Sequence, residues 1–318
     1  MQTDPMTNGK RKIRAARISL ATALFLATLK VLAALATGSL AVLSSAIDSL
    51  LDILMSGANY FAIRQAELPP DSKHPFGHGK FETVATIFQA LVISLSGLWV
   101  LYESSQRLIH GTSLARLEEG MAVLLISSVV SWKIARYLKA TAKATESSAL
   151  KADALHFSMD IYTNVALVAG LALVLWLKTP WLDPALSMLV GCYILFEAFR
   201  LVRHGMGDIL DEQLPASIRE EIVEIIALHQ AHLLGYHRLR TRRAGSQKII
   251  DFHLTVCKNF SVAEAHKITD HLEQRIRERI GGSDVTIHIE PCSRLDCDAG
   301  HTCSKPPQPL KKGPQAET

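Results

Sequence analysis

The chain lacks the motifs and the charge pattern of several functional classes. Its five cysteines have no regular spacing among 318 residues, which argues against a disulfide scaffold. No GxxxxGKS/T phosphate-binding loop occurs, so ATP is not the predicted energy source, and the HExxH motif of zinc hydrolases is absent. The formal net charge of +4 is small and the basic residues are spread along the chain, so we predict no nucleic-acid partner.

Long apolar runs are the main feature of the chain. A mean hydropathy of +0.18 is typical of a membrane domain joined to a soluble one. Each run holds about the 20 mainly apolar residues that a membrane-spanning helix requires. The predicted spans are 18–37, 39–63, 82–108, 119–138, 154–177 and 184–203. We therefore predict an α-helical membrane protein with six transmembrane helices.

Basic residues indicate which side of the membrane each connection faces. Lys and Arg follow the second and sixth runs and surround the fourth connection, whereas the first connection carries no charge. The positive-inside rule then predicts that both termini are cytoplasmic.

The last third of the chain has the pattern of a small soluble domain. The predicted elements are a helix from about 215, strands over 236–243 and 249–257, a helix over 262–280 and a strand over 285–289. This αββαβ order predicts an α+β domain of two layers. The predicted divisions are a basic cytoplasmic segment (1–17), the transmembrane domain (18–210), the soluble domain (211–292) and a disordered tail (293–318).

Four ionisable side chains lie within two of the predicted spans. Asp48 and Asp52 are four residues apart, as are His156 and Asp160, so each pair shares one helix face. A carboxylate at the bilayer centre costs roughly 2.5–3.5 kcal/mol on insertion scales. Three carboxylates and an imidazole supply a tetrahedral site for Zn²⁺ or another borderline cation. A polar pair that joins helices and a proton relay without metal are the alternatives.

Asp153 precedes His156 by one turn on about the same face. It either orients the imidazole or lies at the entrance to the site, and the sequence favours neither interpretation.

Three further groups of residues have metal-binding chemistry. Asp71, His74 and His78 follow the second span, where they either converge on a metal or form a solvated turn. In the soluble domain, His288 and Glu290 alternate onto one face of a strand, but histidine is common there and spacing alone is a weak signal. In the tail, a loose metal site and exposed thiols are equally compatible with Cys292, Cys297, His301 and Cys303.

Three motifs together resemble those of the cation diffusion facilitators. They are Asp48-xxx-Asp52, Asp71-xx-His74-xFG-His78-Gly-Lys80 and Ala152-Asp153-Ala-Leu-His156-xxx-Asp160. The similarity extends from about Arg14 to Cys292 and is greatest to the bacterial zinc and ferrous-iron efflux branch.

The resemblance implies a homodimer in the bacterial inner membrane, with one transport site in each six-helix protomer. It also implies a cytoplasmic domain with a metallochaperone-like fold, which binds metal and dimerises. The matching positions are the transport site (Asp48, Asp52, His156, Asp160), a loop site (Asp71, His74, His78), a binuclear cytoplasmic site (His237, His253, His266, His288, Glu290) and an interdomain charge pair (Lys80, Asp211). Glu290 departs from the family pattern, in which an aspartate is expected.

The predicted function is secondary antiport, and not enzymatic catalysis: Zn²⁺, or Fe²⁺, Cd²⁺ or Co²⁺, leaves the cytoplasm as protons enter. Metal ligands must be deprotonated, so protons compete with the ion, and His156 is the natural proton carrier. The divalent ion is the substrate and a regulator, and no catalytic cofactor is expected. The alternative is a membrane sensor or scaffold that binds the ion without moving it; an intramembrane hydrolase is more distant.

Overall fold

The computed structural model of the chain describes residues 5–37, 40–110, 121–177, 179, 181–229 and 233–292. These residues form two compact units, one that ends at Leu210 and one that begins at Asp211. The predicted tail over 293–318 lies outside the described residues, as do the thiols of Cys297 and Cys303 and the imidazole of His301.

The first unit is made of long helices. They are α1 (Pro5–Thr37), α2 (Leu40–Ala66), α3 (Lys80–His110), α4 (Met121–Thr145), α5 (Ser148–Leu177) and α6 (Leu182–Ile209). Each predicted apolar run falls mainly within one of these helices. The first helix differs from the prediction because it begins at Pro5, so the basic segment predicted over 1–17 continues into it without a break.

Three of these helices are long and apolar enough to cross a membrane, among the residues that the structure describes: Asn8–Ala36, Lys80–His110 and Pro184–Ile209. The six predicted spans are therefore not all confirmed. Large apolar side chains point outward from the unit, as lipid-facing residues do. Examples are Leu35, which is 76% exposed, Leu189 at 68% and Trp176 at 80%.

Small residues allow the helices of the first unit to pack closely, as is typical of membrane helices. A buried cluster rich in alanine joins α1, α2, α3, α4 and α5. Between α3 and α6, a Cβ atom on Gly97 would lie 2.9 Å from the Ile194 side chain, and one on Gly191 would lie 2.8 Å from Leu101. Glycine at these two positions therefore sets how closely α3 and α6 approach.

A buried charge network near the start of α1 joins α1 and α3 to the residue after α2 and the residue before α5. The Lys12 ammonium donates to Glu82 at 2.9 Å and also to Glu67, and Ser147 donates to the other Glu82 oxygen. The Lys12 and Glu82 side chains are only 3% and 1% exposed. The sequence pattern placed Lys12 in a cytoplasmic basic segment, but the two carboxylates hold it inside the helix bundle.

The second unit has the predicted αββαβ order. Its elements are α7 (Ala216–Leu228), β1 (Gly235–Ala244), β2 (Gln247–Val256), α8 (Val262–Arg279) and β3 (Ser283–Pro291). The sheet order is β1-β2-β3, with β1 antiparallel and β3 parallel to β2. Gly245, at φ +65°, supplies the left-handed conformation in the tight turn between β1 and β2.

The core of the second unit lies between its helices and one face of its sheet. On β2 the side chains of Ile250, Phe252 and Leu254 are buried against Ile222 of α7 and Leu272 of α8. Because successive strand residues point to opposite faces, the intervening residues lie on the other face. This leaves one sheet face for polar side chains.

Replacing Lys12 by methionine should destabilise the first unit, because it leaves the Glu82 carboxylate buried without a cation. Removing one partner of a buried ion pair lowers the free energy of unfolding by about 3–5 kcal/mol. We expect a clearly lower thermal midpoint in detergent, and partial recovery when Glu82→Gln is added to Lys12→Met.

Arg107→Met is the control for this prediction, since it removes an ion pair with Glu103 whose side chains are 45% and 44% exposed. Such surface pairs contribute roughly 0–1 kcal/mol. Equal thermal midpoints for Lys12→Met and Arg107→Met would show that the buried network does not stabilise the bundle.

Candidate metal centres

Two helices of the first unit bring ionisable side chains together. Asp52 lies on α2, and His156 and Asp160 lie one turn apart on one face of α5. Each of the three offers a ligand atom, and these atoms lie within 4.8 Å of one another. We call Asp52, His156 and Asp160 the α2–α5 cluster.

The closest contact in the α2–α5 cluster joins Nε2 of His156 to Oδ1 of Asp52 at 2.9 Å. The two side chains are 14% and 20% exposed, so they are largely removed from the surface of the unit. Zinc binds imidazole nitrogen and carboxylate oxygen at about 2.0–2.2 Å, which places two tetrahedral ligands roughly 3.4 Å apart. Small side-chain adjustments would therefore admit an ion between α2 and α5.

Two neighbours of the cluster were also predicted from the sequence. Asp48 lies on α2, one turn before Asp52, but its side chain is outside the described residues. Asp153 lies on α5 and is 0% exposed, and it is not among the converging ligands of the described residues. Full burial does not fit a carboxylate at an open entrance.

The connection between α2 and α3 holds a second group, Asp71, His74 and His78, which we call the loop cluster. Asp71 Oδ1 lies 3.3 Å from His74 Nδ1, and Asp71 Oδ2 lies 3.3 Å from His78 Nε2. Gly77, at φ +80°, donates its backbone N–H to the carbonyl of His74 and curls the loop. The loop therefore brings the three predicted side chains together.

The Asp71 carboxylate is anchored by the loop backbone. It accepts hydrogen bonds from the backbone N–H groups of His74 at 2.6 Å and of Lys73 at 2.8 Å. The His74 bond contributes most to a pKa of Asp71 below its ordinary value. Asp71 is consequently ionised at neutral pH, as a metal ligand must be.

The third group lies on the sheet of the second unit, on the face away from α7 and α8. His237 of β1 pairs with His253 of β2, which pairs with His288 of β3, so three imidazoles form a row across the strands. His237, His253 and Glu290 have ligand atoms within 4.8 Å of one another, and we call them the sheet cluster. A register shift follows His237, where Arg238 has φ +53°. Bulges of this kind re-aim side chains and often occur beside functional sites.

Glu290 is the residue that connects this row. Its carboxylate lies 2.7 Å from His253 Nδ1, 3.1 Å from His237 Nε2 and 4.0 Å from His288 Nε2. The hydrogen bond from His253 is the largest cause of a lowered Glu290 pKa. The stability that this bond contributes is therefore present above the ordinary pKa of 4.5 and is lost as the pH falls through the lowered one.

Two predicted positions stand apart from these groups. His266 is exposed on α8 and joins none of the converging groups in the described residues. Asp211 has φ +57° at the start of the second unit, where it accepts a hydrogen bond from Arg242 at 3.4 Å. Lys80 belongs to the other unit, so its pairing with Asp211 stays a prediction.

Sequence reasoning did not assign a role to several buried polar residues around the α2–α5 cluster. Asn59 of α2 and Gln89 of α3 are each 1% exposed, and Ser19 of α1 is 0% exposed. Amides and hydroxyls are common in helix packing, so only the three-dimensional structure shows that these three converge beside Asp153.

Two family profiles match most of the chain. The cation efflux transmembrane domain matches residues 16–210, and the cation efflux protein cytoplasmic domain matches residues 214–292. The cation-efflux pump FieF of Salmonella paratyphi A is 35% identical over 287 residues, which cover 90% of this chain and 95% of that protein. FieF of Salmonella arizonae has the same identity and coverage.

Solved structures resemble about a quarter of the chain. CzrB in its Zn form is 40% identical, covers 26% of this chain and 92% of that one, and has a TM-score of 0.23. The metal-bound C-terminal domain of the CzcD transporter from Thermotoga maritima is 27% identical. The match covers 25% of this chain and 93% of that domain, with a TM-score of 0.24. TM-scores this low say nothing about the fold. The two profiles and the FieF relatives show that this chain belongs to the cation efflux family, the cation diffusion facilitators.

Proposed function

We propose that the protein exports a divalent metal ion, with Zn²⁺ as the preferred substrate, in exchange for protons. The observation that carries this proposal is the α2–α5 cluster, in which Asp52, His156 and Asp160 converge inside the transmembrane domain. Asp48 completes the proposed ligand set. Ionisable residues are costly to bury between membrane helices, so those that are retained usually serve an ion pathway.

The ligand types favour a borderline first-row cation. One imidazole with carboxylates suits Zn²⁺ or Fe²⁺, whereas Ca²⁺ and Mg²⁺ take oxygen ligands alone. The FieF relatives are cation-efflux pumps, which supports export of a cation. Cd²⁺ and Co²⁺ are further proposed substrates.

Proton coupling follows from the chemistry of the same side chains. In the metal-free arrangement, His156 Nε2 faces Asp52 Oδ1 at 2.9 Å, a contact that requires a proton between the two atoms. A metal ion can bind this nitrogen only after that proton has left, so metal and protons exclude one another. Alternating exposure of the site to the two sides of the membrane would convert this competition into antiport.

The proposed setting is the bacterial inner membrane, with six spans, both termini in the cytoplasm and a homodimeric assembly. The outward-facing apolar side chains of the first unit support contact with lipid, and the positive-inside rule supports the orientation.

The other two clusters are proposed to regulate transport. The sheet cluster, with His266 and His288, would bind cytoplasmic metal and stabilise one arrangement of the dimer, and the Lys80–Asp211 pair would couple the units. The loop cluster is proposed to bind a divalent ion beside the membrane. Each acts by binding metal more tightly in one state than in another.

Asp52→Ala should abolish zinc transport, because it removes a ligand that contacts His156 directly. We expect the initial rate of Zn²⁺ flux into proteoliposomes to fall by roughly 100-fold or more. Glu103→Ala, which removes an exposed carboxylate on α3, should keep the wild-type rate. Retained flux in Asp52→Ala would contradict the proposed site, and zinc binding without flux in the wild type would indicate a sensor.

Glu290→Gln should weaken zinc binding at the sheet cluster, since the amide cannot bridge the histidines as a carboxylate does. We expect at least a tenfold loss of affinity, roughly the lower bound for removing a partner around a bound metal. The measurement is a zinc titration of the full chain with Asp52→Ala and Asp71→Ala in the background.

The matched control for this titration is Glu278→Gln, the same change at an exposed residue of α8. An unchanged affinity in Glu290→Gln would show that the sheet cluster does not hold the ion.

A further inference from the structure

Asp153 is a buried carboxylate that accepts no hydrogen bond of normal geometry in the part of the chain that the structure describes. Both of its oxygens are buried and unpaired, and the residue is 0% exposed. An unpaired buried polar group costs about 1–3 kcal/mol, and more if it is charged. The α2–α5 cluster does not remove this cost, because Asp153 is not among its converging ligands.

Polar side chains from three other helices face the Asp153 carboxylate. They are Ser19 of α1, Asn59 of α2 and Gln89 of α3, and we call these three with Asp153 the Asp153 chamber. Each of them is at most 1% exposed. The chamber is therefore lined by four helices and closed to solvent.

Two of the donors in the chamber are used elsewhere. The Ser19 hydroxyl donates to Ser56 at 3.4 Å, and the Asn59 amide N–H donates to the Ala149 carbonyl at 3.4 Å. The second of these contacts fixes which end of the Asn59 amide is the acceptor. Both oxygens of Asp153, Oδ1 of Asn59 and Oε1 of Gln89 are left unpaired in the described residues, against three N–H groups, two on Gln89 Nε2 and the second one on Asn59 Nδ2.

An excess of acceptors around a carboxylate calls for a proton on the carboxyl group, for a cation or for donors from water. Water supplies two donors per molecule, whereas one divalent cation satisfies several oxygens at once and also neutralises the carboxylate. Carboxylate and amide oxygens are ligands for hard and borderline divalent ions. The chamber therefore has the donor set of a weak, all-oxygen cation site.

The chamber lies between the α2–α5 cluster and the buried charge network. Asp153 is one turn before His156 on α5. Ser19 follows Lys12 by seven residues on α1, and Gln89 follows Glu82 by seven on α3, which is about 10.5 Å along each helix. Polar side chains thus continue from the network at the start of α1 to the metal ligands.

We propose that Asp153, Asn59 and Gln89 form a relay subsite, which holds the transported divalent cation briefly between the start of α1 and the α2–α5 cluster. This inference rests on the proposed transport function. The Lys12–Glu82 pair lies on the side of the chamber toward the start of α1.

The first test is transport by the full chain in proteoliposomes. Asp153→Asn keeps the shape of the side chain and removes its charge, and Gln89→Leu removes an amide oxygen. We expect each variant to lower the initial rate of Zn²⁺ flux about tenfold, while zinc affinity at the α2–α5 cluster changes by less than about threefold. Ser104→Ala, a buried hydroxyl elsewhere on α3, should keep the wild-type rate.

Two transport results would overturn the relay subsite. Wild-type flux in both folded variants would place the chamber off the ion path. Equal losses of flux and of zinc affinity would show that Asp153 only positions His156. The size-exclusion elution profile and the thermal midpoint identify a variant that has failed to fold. The flux of the other variant then decides whether the relay subsite exists.

The second test is direct and does not depend on transport. Mn²⁺ is the probe, measured by electron paramagnetic resonance in detergent on the full chain with Asp52→Ala, Asp71→Ala and His253→Ala. We expect weak binding of one Mn²⁺ per protomer, which is lost when Asp153→Asn is added. The same Mn²⁺ count with and without Asp153→Asn would mean that the chamber holds only water. If wild-type protein shows no flux, the proposed function fails, while this titration still decides whether the subsite exists.

Discussion

A charged side chain inside an apolar helix bundle needs an opposite charge, and the transmembrane unit meets this requirement in two ways. Near the start of α1, Lys12 neutralises the buried carboxylate of Glu82. Farther along the bundle, the carboxylates of Asp52, Asp153 and Asp160 lie around the imidazole of His156. Because carboxylates in such surroundings favour a cation, the second arrangement leaves a place for an ion that arrives and departs.

The three clusters show how different local structures can gather the same kinds of ligand. On α5, the four-residue helical repeat places His156 and Asp160 on one face, and packing against α2 adds Asp52. In the loop, backbone N–H groups hold the carboxylate of Asp71. On the sheet, strand register aligns the histidines, and Glu290 spans two of them. The helices give a largely enclosed site, whereas the loop and the sheet give more exposed ones.

The sequence predicted the features that depend on local periodicity. The helical repeat identified the shared face of His156 and Asp160 on the fifth helix, and alternation identified the strands and the shared face of His288 and Glu290. Contacts between distant segments were not predictable in this way: Lys12 and Glu82 are 70 residues apart, and its basic neighbours made Lys12 look like a surface residue. The Asp153 chamber was missed for the same reason, because its four residues come from four helices. His266 was predicted from the family resemblance alone, and it stands apart from the sheet cluster.

The central claim is that the ion crosses the membrane and does not merely bind. Its most direct test is a measurement on wild-type proteoliposomes with equal Zn²⁺ concentrations on both sides and an imposed pH gradient. Proton-driven antiport predicts that Zn²⁺ accumulates on the acidic side beyond the amount of protein-bound metal, and that a protonophore abolishes this accumulation. Zinc that never exceeds the stoichiometry of the binding sites, with or without the gradient, would contradict the account.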